Sequence, residues 1–94
     1  MAEKKRIGAL LPERMAIPAE LIPGVPVVEL AGFHTASVDG HRGILHYSEA
    51  RIDIMTRIGT VVMEGDSLQL KQMDREKIVV EGNLSLIRLE RNGV

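Results

Sequence analysis

The sequence contains no cysteine and no tryptophan, and its only aromatic residues are Phe33 and Tyr47. Without cysteine, neither a disulfide framework nor a thiolate metal site can hold the chain together, a composition that suits a reducing compartment. With so few aromatic rings, it lacks the stacking platform on which single-stranded nucleic acid is read. An excess of either charge is missing as well. Twelve basic and 13 acidic side chains leave a formal net charge of -1, so nothing draws the protein to a phosphate backbone and little keeps its copies apart. No apolar run approaches the roughly 18 residues of a membrane-spanning helix. The stretch Ile7 to Leu11 is interrupted by Pro12 and Glu13 and is too short for the apolar region of a signal peptide. These absences predict a cytosolic protein with no nucleic-acid partner and no membrane span.

Proline is missing after residue 26: Pro12, Pro18, Pro23 and Pro26 all lie before that point. Because proline lacks an N–H and disfavours helix in the residue before it, residues 1–26 cannot be regular throughout. Pro12 and Pro18, each with Glu close behind, fit the first turn of short helices at Leu11–Arg14 and Ile17–Leu21. Lys4, Lys5 and Arg6 beside Leu10 and Leu11 would suit a membrane surface, but Gly8 and Pro12 break the amphipathic stretch. The chain therefore divides into a proline-containing N-terminal segment, 1–26, and a domain over 27–94. With 94 residues and 45% hydrophobic side chains there is material for one modest core.

What the second part has is β pattern. Arg51-Ile52-Asp53-Ile54 and Ser67-Leu68-Gln69-Leu70-Lys71 alternate with period two, so one face is buried and one is wet. Thr60–Met63 and Lys77–Val80 are apolar on both phases and read as strands covered on both faces. In Leu84-Ser85-Leu86-Ile87-Arg88-Leu89 the phase shifts between Leu86 and Ile87, predicting a bulge or a bend there. Strands are expected near 27–31, 34–38, 43–47, 50–56, 60–64, 67–73, 77–81 and 84–90. Between them stand acidic-glycine turns at Asp39-Gly40, Glu64-Gly65 and Glu81-Gly82, and Gly65-Asp66 and Gly82-Asn83 read as two-residue hairpin loops. The glycines are spaced by 25 and then 17 residues, too unevenly for a repeat. The expectation is an all-β, small, antiparallel, hairpin-rich sheet, a roll or sandwich with short N-terminal helical turns. A β-solenoid is the alternative, disfavoured because parallel strands need longer crossovers.

Signatures of catalysis are missing: no phosphate loop, dinucleotide fingerprint or nucleophile elbow occurs. Asp53, Glu64, Asp66 and Glu81 are the carboxylates to weigh as an acid/base pair, but most lie at turns where acids are solvated. His34, His41 and His46, with Asp39 or Glu49, are the residues to weigh as a metal site. The simpler reading puts His41 in a solvated turn and the other two on a strand face. The methionines at 55, 63 and 73 read as core filler rather than as an outward adaptable surface. No enzyme, cofactor or metal is expected, and a sheet edge is what such a chain has to offer a partner; the alternative is a small-ligand or metal-binding sensor module that uses His34, His41 and His46 or the concave face of the sheet.

The landmarks follow a recognisable order. Ile17-Pro18-Ala19-Glu20-Leu21 leads to Val25–Gly32, then to Val38-Asp39-Gly40-His41-Arg42-Gly43 and on to Tyr47. Ile52–Thr56, Gly59–Gly65, Leu68–Leu70 and Glu76–Gly82 complete the set. This ordered set, over roughly residues 15 to 90, resembles the YabP/YqfC family of sporulation proteins, its YqfC branch in particular. The resemblance implies a protein made during endospore formation, acting in forespore engulfment or in spore envelope or coat assembly, with no catalytic residues. It implies other sporulation proteins as partners, a YqfD-like membrane protein among them, with homo-oligomers also allowed. It places the protein in the mother cell, at most peripheral to the forespore membrane. Asp39-Gly40 departs from the Glu-Asn usual before the histidine, which marks Asp39, His41 and Arg42 as interaction candidates.

Overall fold

The computed structural model describes residues 24–92. The helical turns expected within 11–21 lie outside them. The described chain forms strands β1 (Val27–Ala31), β2 (Thr35–Asp39), β3 (His41–Tyr47), β4 (Arg51–Thr56), β5 (Gly59–Met73) and β6 (Lys77–Arg91). They make one sheet in the order β1-β2-β6-β5-β4-β3, antiparallel at every pairing. The all-β antiparallel expectation holds, and a parallel solenoid is excluded among the described residues.

Eight short strands were expected, and the difference lies in β5 and β6. Each is 15 residues long and continuous through its glycine. Gly65-Asp66 and Gly82-Asn83 are not hairpin loops. They face each other in the β5–β6 ladder, Gly65 opposite Leu84 and Asp66 opposite Asn83, where the register slips. Both long strands bend there. A side chain on Gly65 would run into the carbonyl oxygen of Asn83, and one on Gly82 would come within 2.7 Å of the Ser67 oxygen. Gly82 also sits at φ 150° and Ser67 at φ 57°, conformations that an extended strand does not use. The irregularity expected between Leu86 and Ile87 is not there, since Met63 pairs with Ile87 and Glu64 with Leu86 without a break; the bulge falls at Ser85, between Leu86 and Leu84, which pairs with Gly65. The hairpins are elsewhere: Arg57-Ile58 joins β4 to β5, and Asp74-Arg75-Glu76 joins β5 to β6.

The bend turns one sheet into two layers. One holds β1, β2, the first part of β6 and the last part of β5; the other holds β3, β4, the first part of β5 and the last part of β6. Antiparallel register puts opposed side chains on the same face. In the first layer this aligns Leu30, Ala36, Val80 and Leu70, with Val28, Val38, Ile78 and Met73 beside them. In the second it aligns Ile44, Ile54, Val61 and Leu89, then Tyr47, Ile52, Met63 and Ile87. The middle members of these rows form one buried cluster with Leu68 at the bend. The outermost members Leu30, Met73, Leu89 and Tyr47 remain exposed. Met63 is thus core, whereas Met55 and Met73 are exposed.

Val62 is also fully buried although it lies on the opposite face from this cluster. Asp53 and Arg88 flank it across the ladder, so the Thr60–Met63 strand is covered on both sides as its composition indicated.

The two layers mirror each other in construction. Gly82 and Leu84 donate main-chain N–H groups to His34 and Phe33 in the β1–β2 turn, at 3.0 and 2.9 Å. Gly65 and Leu68 donate likewise to Ala50 and Glu49 in the β3–β4 turn, at 3.1 and 2.8 Å. Each hairpin tip therefore braces one side of the bend.

Candidate functional site

Gly40 is the corner where the chain leaves one layer and enters the other, because β2 and β3 do not pair. It adopts φ 86°, and its N–H donates to the Glu76 oxygen at 2.6 Å, docking the corner on the β5–β6 hairpin. His41, expected in a solvated turn, is buried. Its Nε2 lies 2.7 Å from the Asp74 carbonyl oxygen, and its Nδ1 accepts the Gly43 N–H at 2.9 Å. That pattern requires the neutral tautomer with the proton on Nε2. Asp39 and Arg42 flank this anchored ring and are exposed. The three candidates thus share one corner with two roles: His41 holds it, and Asp39 and Arg42 face outward.

The hairpin that receives His41 is itself braced by Asp74. One carboxylate oxygen accepts the N–H groups of Glu76 and Lys77 at 2.9 and 2.8 Å, and the other faces the Gln72 amide at 3.3 Å. These donors favour the charged form, the Glu76 and Lys77 bonds foremost, and hold the Asp74 carboxyl below its ordinary range.

The remaining chemistry-bearing residues are dispersed. His34 lies in the β1–β2 turn and His46 is exposed on β3, and no cluster of three metal-ligating side chains occurs among the described residues. Asp53 is paired with Arg51 by two bonds of 2.8 and 3.0 Å, which raise the Arg51 pKa further above its ordinary value. Glu81 is paired with Lys71 at 2.9 Å, and Glu64 lies 4.0 Å from Arg88. Glu64 and Glu81 thus stand in strands rather than in turns. Basic side chains face these acids, and that arrangement does not make an acid/base pair.

The outer strands differ sharply. β3 carries two register shifts, between His41 and Gly43 and between Ile44 and His46, a device that blunts an open edge. β1 pairs with β2 in unbroken register from Val27 to Ala31, and its other side has no neighbour in the sheet among the described residues. Leu30 is 58% exposed on it, and Phe33 in the following turn is 79% exposed. In the sequence these two residues show only as the run Leu30-Ala31-Gly32-Phe33, apolar residues around a glycine, with nothing to mark an edge.

Comparison with known proteins agrees with the order of these landmarks. The profile of the YabP family matches residues 25–94, the whole of the sheet. The chain belongs to the YabP/YqfC family of sporulation proteins. It is 27% identical over 85 residues to a Bacillus subtilis (strain 168) protein named "Uncharacterized protein YqfC", an alignment covering 90% of this chain and 91% of that one. No solved structure matches. The family identity fits a non-enzymatic protein. No described helix is long and apolar enough to cross a membrane.

Proposed function

We propose that this YabP/YqfC-family protein is a non-enzymatic assembly factor of endospore formation. It acts in forespore engulfment or in building the spore envelope or coat, by docking other sporulation proteins. The observation that carries this reading is the contrast between the two outer strands. An unbroken edge, unpaired among the described residues and next to exposed Leu30 and Phe33, is the arrangement to which another chain can add a strand, with main-chain bonds giving affinity and the side chains giving selectivity. Asp39 and Arg42 at the Gly40 corner supply a second, charged contact, positioned by His41. A YqfD-like membrane protein is the partner that the family resemblance favours. The protein then works from the mother-cell side, peripheral to the forespore membrane.

The test is complementation of a deletion strain in the native spore-former. Heat-resistant spore yield should fall without the gene, return with the unaltered protein, and stay low with Leu30→Asp/Phe33→Asp or with Asp39→Ala/Arg42→Ala, although both variants fold. Normal spore yield from the deletion strain removes the proposal. Normal yield from the edge variant removes β1 as the docking edge.

A further inference from the structure

Among the described residues the chain passes between the layers three times: within β5, within β6 and at Gly40. The first two crossings are continuous strands, and only the third is a corner. On one side of that corner β2 finds its second neighbour in residues 77–81 of β6; on the other, β3 lies at the opposite end of the sheet. The β1–β2 hairpin is thus a unit joined covalently to the remaining strands through Gly40 alone. The β2–β6 ladder holds it on them, together with the two bonds from Gly82 and Leu84 to its tip and with Val28, Ala36 and Val38 in the core. None of these contacts requires the β6 of the same chain.

Gly40 sets the corner. Its φ of 86° is one that glycine adopts about as readily as an extended value. A Cβ there would meet the Pro26 Cα at 3.4 Å and the Val25 oxygen at 3.5 Å, ordinary contact distances, so the corner rests on backbone conformation rather than on lack of room. With Gly40 extended, residues 35–47 become one strand of the kind that β5 and β6 already are. The bond from the Gly40 N–H to the Glu76 oxygen holds the corner closed, whereas His41 lies on the β3 side of the hinge and keeps its bond to Asp74. A net charge of -1 sets little repulsion between copies, and a short, conformationally strained connection favours exchange over internal return. We infer that Gly40 is a hinge for reciprocal exchange, in which the β1–β2 hairpin of each copy docks on the β6 of a second copy and β2 and β3 run on as one strand. The resulting two-fold dimer carries two β1 edges and is bivalent toward any partner of that edge.

The unaltered protein, Gly40→Ala and Gly40→Val are refolded from urea over a range of protein concentrations and their mass measured by light scattering. A residue other than glycine is disfavoured about tenfold in a left-handed corner, and two corners straighten per dimer. Gly40→Ala should therefore raise the dimerisation constant by about a hundredfold, and β-branched Gly40→Val by more. Disulfides show which chain each hairpin belongs to, since the sequence has no cysteine of its own. Ser37→Cys/Val79→Cys spans β2 and β6, and Met55→Cys/Thr60→Cys spans β4 and β5, each between directly opposed residues. In the dimer the first pair should link two chains and the second should close within one. A dimer in which both pairs close within one chain overturns the inference in favour of association without exchange. A folded Gly40→Ala or Gly40→Val that stays monomeric at every concentration overturns it as well. If neither variant folds, the same cysteine pairs in the otherwise unaltered protein decide: linkage of two chains through positions 37 and 79 should rise with the concentration at which the protein is refolded, and its absence throughout overturns the inference.

Discussion

The imidazole of His41 donates from Nε2 to the main-chain oxygen of Asp74 at 2.7 Å, joining the corner between the layers to the hairpin between the two longest strands. Replacing it with alanine leaves the Asp74 oxygen and the Gly43 N–H without their partner in a half-buried place. His41→Ala should therefore cost about 1–3 kcal/mol in urea unfolding. His41→Gln, which can restore one of the two bonds, should recover part of that. A loss within experimental error for His41→Ala would mean that the ring is not the anchor of the corner.

Asp74 gives the hairpin a signature in acid. Its carboxyl titrates lower in the folded chain than in the unfolded one, so unfolding takes up a proton as the pH falls. The contribution is complete above the unfolded value, about 4, and is lost as the pH drops through the lower folded value. The stability difference between the unaltered protein and Asp74→Asn should therefore be constant near neutrality and shrink below about pH 4. Urea titrations at a series of pH values read this directly. A difference that stays flat through the acid range would remove Asp74 from the role.

Gly82→Ala and Gly65→Ala should each destabilise the protein by about 1–3 kcal/mol or more. The first places a Cβ at φ 150° and 2.7 Å from the Ser67 oxygen, and the second drives one into the Asn83 carbonyl. Because the two positions share one bend, their double substitution should cost less than the sum of the single ones. An alanine variant at either site with unchanged Tm would mean that the bend yields freely.

Core and edge should separate cleanly. Ile54→Ala and Met63→Ala empty fully buried sites and should lose about 2–5 kcal/mol. Leu30→Asp and Phe33→Asp alter exposed side chains and should move stability by about 0.5 kcal/mol or less. If the edge variants unfold as readily as the core ones, their effect on spore yield cannot be assigned to docking.

Period-two alternation made the strands legible because burial of one face is a local property, and the buried positions of Ile52, Ile54 and Leu68 follow from it. The use of glycine was less legible. A residue without a Cβ serves a hairpin turn and a close crossing of strands equally well, so Gly65-Asp66 and Gly82-Asn83 looked like loops until their mutual register was known. His41 was misplaced for a related reason. Its main partner is a backbone oxygen 33 residues away, and a backbone oxygen leaves no trace in residue type. Leu30 and Phe33 were visible as residues, but that they border an open edge depends on β6, not β1, pairing with the far side of β2.

The sharing of β5 and β6 between layers also bears on how the chain is made. β2 finds its second neighbour only in residues 77–81, and the layer holding β3 and β4 is completed only by residues 84–91. A ribosome must therefore release nearly the whole sheet before either half can close. The β1–β2 and β3–β4 hairpins wait as isolated pairs, and a two-stranded hairpin is only marginally stable in water. Closure then joins distant parts of the chain in one late step, the kind of topology that folds slowly. In a cell that makes the protein during endospore formation, a shortage of chaperones should lower its yield more than that of a helical protein of the same length.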